Sequence, residues 1–169
     1  ANVLSVIDSH SARMDFRNQT VLSVLPWHHA FGLVLELLPA LLYQSELVRD
    51  LAGGRDPDRL IGLMESWDFT RLSGVPVLFE RLFAAGDRGG VPCANWQGIV
   101  GGARVSAALA AELAQTQLRA GDGQTQAGPG ITLGEPGDWS SCYLGTPIGC
   151  EVRLADSDSE LLYRGANLS

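Results

Sequence analysis

Short apolar runs alternate with helix-length segments along this chain, and Gly or Pro marks most of the changes. Thr20 to Leu25 is an apolar, β-branched run stopped at Pro26, the pattern of a buried strand. Ala30 to Gln44 carries a helical-length apolar pattern, and Glu46 to Asp50 is a short second strand. After the Gly53-Gly54 turn, Asp56 as N-cap and Pro57 at the first position open a helix that runs to about Trp67. Phe69 to Ser73 reads as a strand broken by Gly74-Val75-Pro76, and Val77 to Ala85 as a helix, with a loop from Gly86 to Pro92. Gln97 to Val100 is a strand ending in Gly101-Gly102; Ser106 caps a helix to about Ala114, and Leu118 to Asp122 is the last short strand of the series.

Ala1 to Arg13, at the other end, is a mixed segment that closes a helix. Gly128 to Pro147 is rich in Gly, Pro and Ser and reads as a long loop. Cys150 to Leu154 and Glu160 to Tyr163, around Asp156-Ser157-Asp158, give a hairpin signal. Strand and helix alternate about four times before this β element. The predicted class is α/β: a mostly parallel sheet flanked by helices, with a small terminal β-hairpin. Residues 1–127 are expected to form the core, and 128–169 the loop and hairpin.

Composition narrows the function. The net charge of −7 offers no electrostatic footprint for nucleic acid or an anionic membrane. The longest apolar stretch, Phe31 to Tyr43, is broken by Glu36 and Pro39 and is too short for a span. No secretory signal pattern opens the chain. Cys93, Cys142 and Cys150 lack CxxC spacing and are expected to be small hydrophobes in a reducing cytoplasm, not zinc ligands. No metal site is expected. All 12 basic side chains are Arg, and there is no Lys, so a phosphate-cradling loop with Lys before Ser/Thr is missing.

Four segments together resemble the acyl-adenylate-forming (AMP-dependent synthetase/ligase) superfamily, which includes acyl-CoA synthetases. Leu25-Pro26-Trp27-His28-His29-Ala30-Phe31-Gly32-Leu33 is similar to its "LP-x-x-H-x-x-GL" strand-to-helix turn. Gly101-Gly102-Ala103 is similar to the turn beside adenine, and Asp122-Gly123-Gln124-Thr125-Gln126 to "YGQTE". Gly145-Thr146-Pro147-Ile148-Gly149-Cys150-Glu151-Val152 and Glu160-Leu161-Leu162-Tyr163-Arg164-Gly165 resemble "G-x-P-x-x-G-x-E-V" and "GEL-x-x-RG". Ala1-Asn2-Val3-Leu4 resembles the helix that follows the family's phosphate loop. The resemblance implies the middle portion of the family's large N-terminal domain, lacking the phosphate loop and the C-terminal domain.

The resemblance also implies a site. His29 falls at the mouth of the acyl pocket, as catalytic and substrate-binding residue, with Phe31 and Gly32 shaping the turn. Gly101, Gly102 and Ala103 are expected to border substrate; Gly123, Gln124 and Thr125 are remnants of nucleotide binding. Two family positions are substituted. Asp122 replaces the aromatic that stacks on adenine, and Gln126 replaces the glutamate that helps hold Mg²⁺, although a neutral amide is a poor ligand for a hard cation. From the residues alone, His29 reads equally as a helix-terminal His, and Gly101-Gly102 as a tight turn needing positive φ. His10 is expected to be solvated and His28 exposed or structural. Arg104 is expected to be a surface residue. Glu135 with Asp138, and Asp156 with Asp158 and Glu160, are expected on solvated loops. Ser140-Ser141-Cys142 shows no activating base nearby in sequence.

A truncated or degenerate acyl-CoA synthetase-like AMP-binding protein is therefore implied, with the acyl pocket retained and ATP-dependent adenylation not expected from this chain alone. ATP, Mg²⁺ and CoA serve the intact family; no cofactor is expected here. The expected partner is a small acyl or aryl carboxylate or thioester, with no nucleic acid and no membrane. A homo-oligomer or a complementing chain is the protein partner considered. The alternative is a repurposed ligase relative that binds or transforms an acyl or polyketide-like ligand in a biosynthetic pathway without ATP, using His29 as base.

Overall fold

A computed structural model describes residues 2–86, 95–140, 143–156 and 160–168. Cys93, Cys142, Ser141 and Asp158 lie outside the described residues. The chain begins with α1 (Asn2–Ser11), β1 (Thr20–Ser23) and α2 (Ala30–Gly32). A π-helical turn (Leu33–Leu37) leads into α3 (Leu38–Leu42) and β2 (Glu46–Arg49). Then follow α4 (Pro57–Ser66), β3 (Arg71–Leu72), α5 (Pro76–Gly86), β4 (Gln97–Gly101), α6 (Ala107–Leu113) and β5 (Gln117–Asp122). A 3₁₀ turn (Thr125–Ala127) precedes β6 (Thr132–Leu133), β7 (Thr146–Pro147), β8 (Cys150–Leu154) and β9 (Leu161–Gly165).

Among the described residues seven strands form one sheet in the order β2-β1-β3-β4-β5-β6-β7. The first five are parallel, and β6 and β7 are added antiparallel. β8 and β9 make a separate antiparallel pair, Cys150 opposite Gly165 and Leu154 opposite Leu161. The expected class therefore describes the fold. Two readings of the sequence need correction. β5 is not the last strand of the sheet, and the stretch 128–147 is not all loop. Each added strand has only two residues, too short to show a period, and pairing with the end of β5 forms them: Gly121 with Leu133 and Asp122 with Thr132.

One core lies between the sheet and the helices that follow it, with Leu22, Leu72 and Leu118 from strands meeting Phe79, Leu82, Leu109 and Leu113 from α5 and α6. Phe79 is fully buried there, and truncating such a residue to Ala costs about 3–5 kcal/mol. A second cluster joins Val6 and Ile7 of α1 to Val34 and Leu35 of the π turn and to Ile99 and Leu133. Caps set the helix starts as expected: Asp56 accepts from Arg59 N–H at 3.1 Å, and Ser106 from Leu109 N–H at 3.2 Å.

The apolar run expected as one helix is interrupted by the π turn. Pro39 has no N–H and would crowd the carbonyl four residues back in a regular helix. The wider turn, with Leu38 N–H bonded to Leu33 carbonyl, carries the chain into that proline. It also turns Glu36 inward, where it is 3% exposed.

Candidate functional site

The carboxyl ends of β4 and β5 meet α2, which follows β1, along one rim. This is where open α/β sheets bind ligands. β4 and β5 pair Gly101 with Gly121, and a Cβ on Gly101 would lie 2.2 Å from the Gly121 carbonyl oxygen. The strands approach closely here because neither residue has a side chain. Gly102 then turns the chain at φ +80°, a left-handed conformation that favours glycine.

Two cavities flank this rim. The smaller, about 230 Å³, is lined by His29, Phe31, Gly101 and Gly102 from the expected acyl side, and by Asp122, Gly123, Gln124 and Thr125 from the expected nucleotide side. Leu35 and Ile99 add apolar wall. The larger, a groove of about 1300 Å³, is lined by Ala103, Arg104 and the face of α6 on one side, and by Asp138, Trp139 and Tyr143 on the other. The two share Gly102, Gly121, Asp122 and Gly123. Motifs far apart in sequence thus come together at one boundary.

Not every expected residue lines the smaller cavity. Ala103 belongs to the groove. Gly32 packs under the turn, where a Cβ would sit 2.6 Å from the Pro26 carbonyl oxygen. Gln126 is exposed in the 3₁₀ turn and lines neither cavity. His28 is exposed.

His29 is the N-cap of α2: its Nδ1 accepts from Phe31 N–H at 3.2 Å. A neutral imidazole that accepts at Nδ1 carries its proton on Nε2. His29 therefore offers the cavity a donor, and the helix-terminal role and the cavity role are held together.

His10 corrects the expectation of a solvated side chain. It is 1% exposed and lines the smaller cavity. α1 is amphipathic and lays His10 inward beside Val6 and Ile7. Burial, outweighing the bond to Val6, pushes its imidazole down to about 4. The missed signal was the helical spacing of Val6 and His10, which puts both on one face.

Glu135 is likewise more than a solvated loop carboxylate. It pairs with Arg13 after α1 and with Arg119 on β5, the latter at 2.8 Å. Arg119, and then Arg13, hold it below the ordinary carboxylate range. Across the groove, burial and then Asp138 raise the Tyr143 phenol above its usual range. Among the described residues no group of three His, Cys, Asp or Glu side chains is arranged to hold a metal ion, and no helix is long and apolar enough to cross a membrane.

Residues 1–167 match the family described as AMP-binding enzyme. An acyl-CoA ligase, SID4 of Ajellomyces capsulatus, is 32% identical over 123 residues, which is 69% of this chain and 21% of that protein. The o-succinylbenzoate CoA synthetase of Bacillus subtilis, bound with a product analogue, superposes with a TM-score of 0.84 at 17% identity, covering 99% of this chain and 36% of that one. The N-terminal domain of FACL13 from Mycobacterium tuberculosis gives 0.83 at 17% identity, covering 99% and 45%. These solved structures share the fold. The chain spans about a fifth of the ligase and less than half of either structure.

Proposed function

The chain belongs to the AMP-binding enzyme family, and on that premise we propose that it holds the acyl and nucleotide sides of an acid–thiol ligase cleft without adenylating on its own. One observation carries this reading: two cavities of different size and lining meet at Gly102, Asp122 and Gly123. The smaller has the apolar wall of an acyl or aryl pocket, with the His29 donor toward a carboxylate or thioester oxygen. The larger, at about 1300 Å³, has the room for a nucleotide. The B. subtilis synthetase, similar in fold, has been solved with ATP and magnesium and with an acyl-adenylate.

The charges argue against adenylation by this chain. Phosphoryl chemistry of this kind depends on positioning and on neutralising the phosphates. The sequence has no ammonium side chain. Among the described residues the charged lining of the groove is Arg104 with Asp122 and Asp138. Thr125 and Gln126 are neutral donors, and Mg²⁺ takes hard oxygen ligands, usually with carboxylates among them; the turn does not fit that ion. A small acyl or aryl carboxylate or thioester is the proposed ligand, in a cytoplasmic setting. ATP–pyrophosphate exchange on the purified chain is expected to be absent, and robust acid-dependent exchange would refute the proposal.

The second reading makes His29 a base acting on an acyl ligand without ATP. The capping bond to Phe31 N–H speaks against it. The free lone pair of a base would have to come from the nitrogen already committed to the helix. Donation from Nε2 needs no such rearrangement.

A further inference from the structure

His10 brings a second imidazole into the smaller cavity, with the opposite polarity to His29. Its Nδ1 lies 2.8 Å from the Val6 carbonyl oxygen. A carbonyl can only accept, so the proton sits on Nδ1, and Nε2 of the neutral ring is left with a bare lone pair. The ring is 1% exposed, and burial favours this neutral form. The Nε2 edge lies against Gly130: a Cβ there would come within 2.3 Å of Cε1 and 2.8 Å of Nε2. Gly130 itself lines the same cavity. The hydrogen bonds described for the ring are at Nδ1, to the Val6 carbonyl and, at 3.4 Å, to the Ser9 hydroxyl. The hydroxyl of Thr132, also in the wall, is already committed to the Leu144 carbonyl.

A buried acceptor calls for a donor. An ionised carboxylate cannot supply one, since it would set lone pair against lone pair. The carboxylate of a ligand is thereby directed away from His10 and toward the His29 donor. The His10 part of the wall, which Phe31, Leu35 and Ile99 share, is left for a group carrying O–H.

We infer that His10 is a specificity-determining residue that reads a hydroxyl on the acyl or aryl group, so that the chain takes hydroxylated carboxylic acids in preference to their deoxy counterparts. This rests on the acyl-pocket reading above and adds the class of acid.

Calorimetry on the 169-residue chain tests it with two matched sets: hexanoate against 5- and 6-hydroxyhexanoate, and benzoate against 3- and 4-hydroxybenzoate. At least one hydroxy acid is expected to bind about tenfold tighter than its deoxy partner, the worth of one net hydrogen bond. In His10→Phe, which keeps the ring and loses the acceptor, that advantage is expected to vanish while the deoxy acid still binds. Equal binding of hydroxy and deoxy acids by the unaltered chain, or an advantage that survives His10→Phe, overturns this inference alone. Failure of every acid to bind overturns the pocket reading and this inference with it. Should His10→Phe not fold, nitrogen NMR of histidine-labelled unaltered protein decides. The His10 Nε2 resonance is expected to have unprotonated character and to shift with the hydroxy acid but not with its deoxy partner. No shift with any hydroxy acid that binds sinks the assignment.

Discussion

Glu36 lies 4.0 Å from the Arg49 guanidinium, yet burial pushes its carboxyl up to about 7. Ser23 and Trp27 both donate to Oε1, Trp27 at 3.3 Å. Arg49 spends its Nη1 on Ser23 Oγ, at 2.9 Å, and on the Leu25 carbonyl, and its guanidinium stacks 4.9 Å above the Trp27 ring. Among the described residues none within hydrogen-bond distance pairs with Glu36 Oε2. Ser23 of β1, Arg49 of β2, Glu36 of the π turn and Trp27 of the turn that carries His29 are thus tied together, and the loss of water outweighs the nearby charge.

Glu36→Gln is expected to stabilise the fold above neutrality. A carboxyl raised from 4.5 to about 7 favours the folded state while protonated; that stability is complete below pH 4.5 and is lost as pH rises through 7. The cost once ionised is about 3 kcal/mol. Urea denaturation at pH 5 and pH 8 measures it. The variant should gain on the unaltered protein at pH 8 by an amount of that order, and much less at pH 5. Equal gains at both values would count against a raised Glu36.

His10 has the opposite slope. Its imidazole falls from 6.5 to about 4, so its contribution is complete above pH 6.5 and is lost as pH drops through 4, again by about 3 kcal/mol. Between pH 4.5 and 6.5 the two groups oppose each other, and the unaltered protein should show a shallow profile. His10→Phe is expected to lose less stability than the unaltered chain when pH falls from 6.5 to 4. Parallel pH curves for the two would remove His10 from the acid transition.

His29 has separable structural and binding roles. His29→Ala is expected to cost about 1 kcal/mol through the lost cap and to weaken acyl binding. His29→Asn restores an acceptor for Phe31 N–H without restoring the imidazole donor. It should recover the stability and not the binding, read by melting temperature and calorimetry on the same samples. Full recovery of both would make the imidazole a cap alone.

Gly101→Ala is expected to destabilise by about 1–3 kcal/mol or to prevent folding. The new Cβ meets backbone, the Gly121 carbonyl oxygen at 2.2 Å, so no rotamer change can relieve it. Urea midpoints compared with Gly62→Ala, where nothing lies within 4 Å, would show the difference. A matching pair of midpoints would mean that β4 and β5 part without cost.

Much of this fold is written locally. Strand and helix periods, the caps at Asp56 and Ser106 and the turns at Gly101-Gly102 act through neighbours a few residues away, so the parallel α/β sheet and the segments that meet at its rim were legible in order along the chain. Tertiary structure alone decided what depends on distant partners. His10 is buried because α1 packs where Gly130 leaves room for its ring, and Glu135 is held by Arg13 and Arg119. β6 exists because the end of β5 offers unpaired backbone groups, and Glu36 turns inward because the π turn before Pro39 shifts the helix phase. Desolvation and cross-chain pairing are set by which surfaces meet in space; a helical period such as that of Val6 and His10 marks a face but not the partner that covers it.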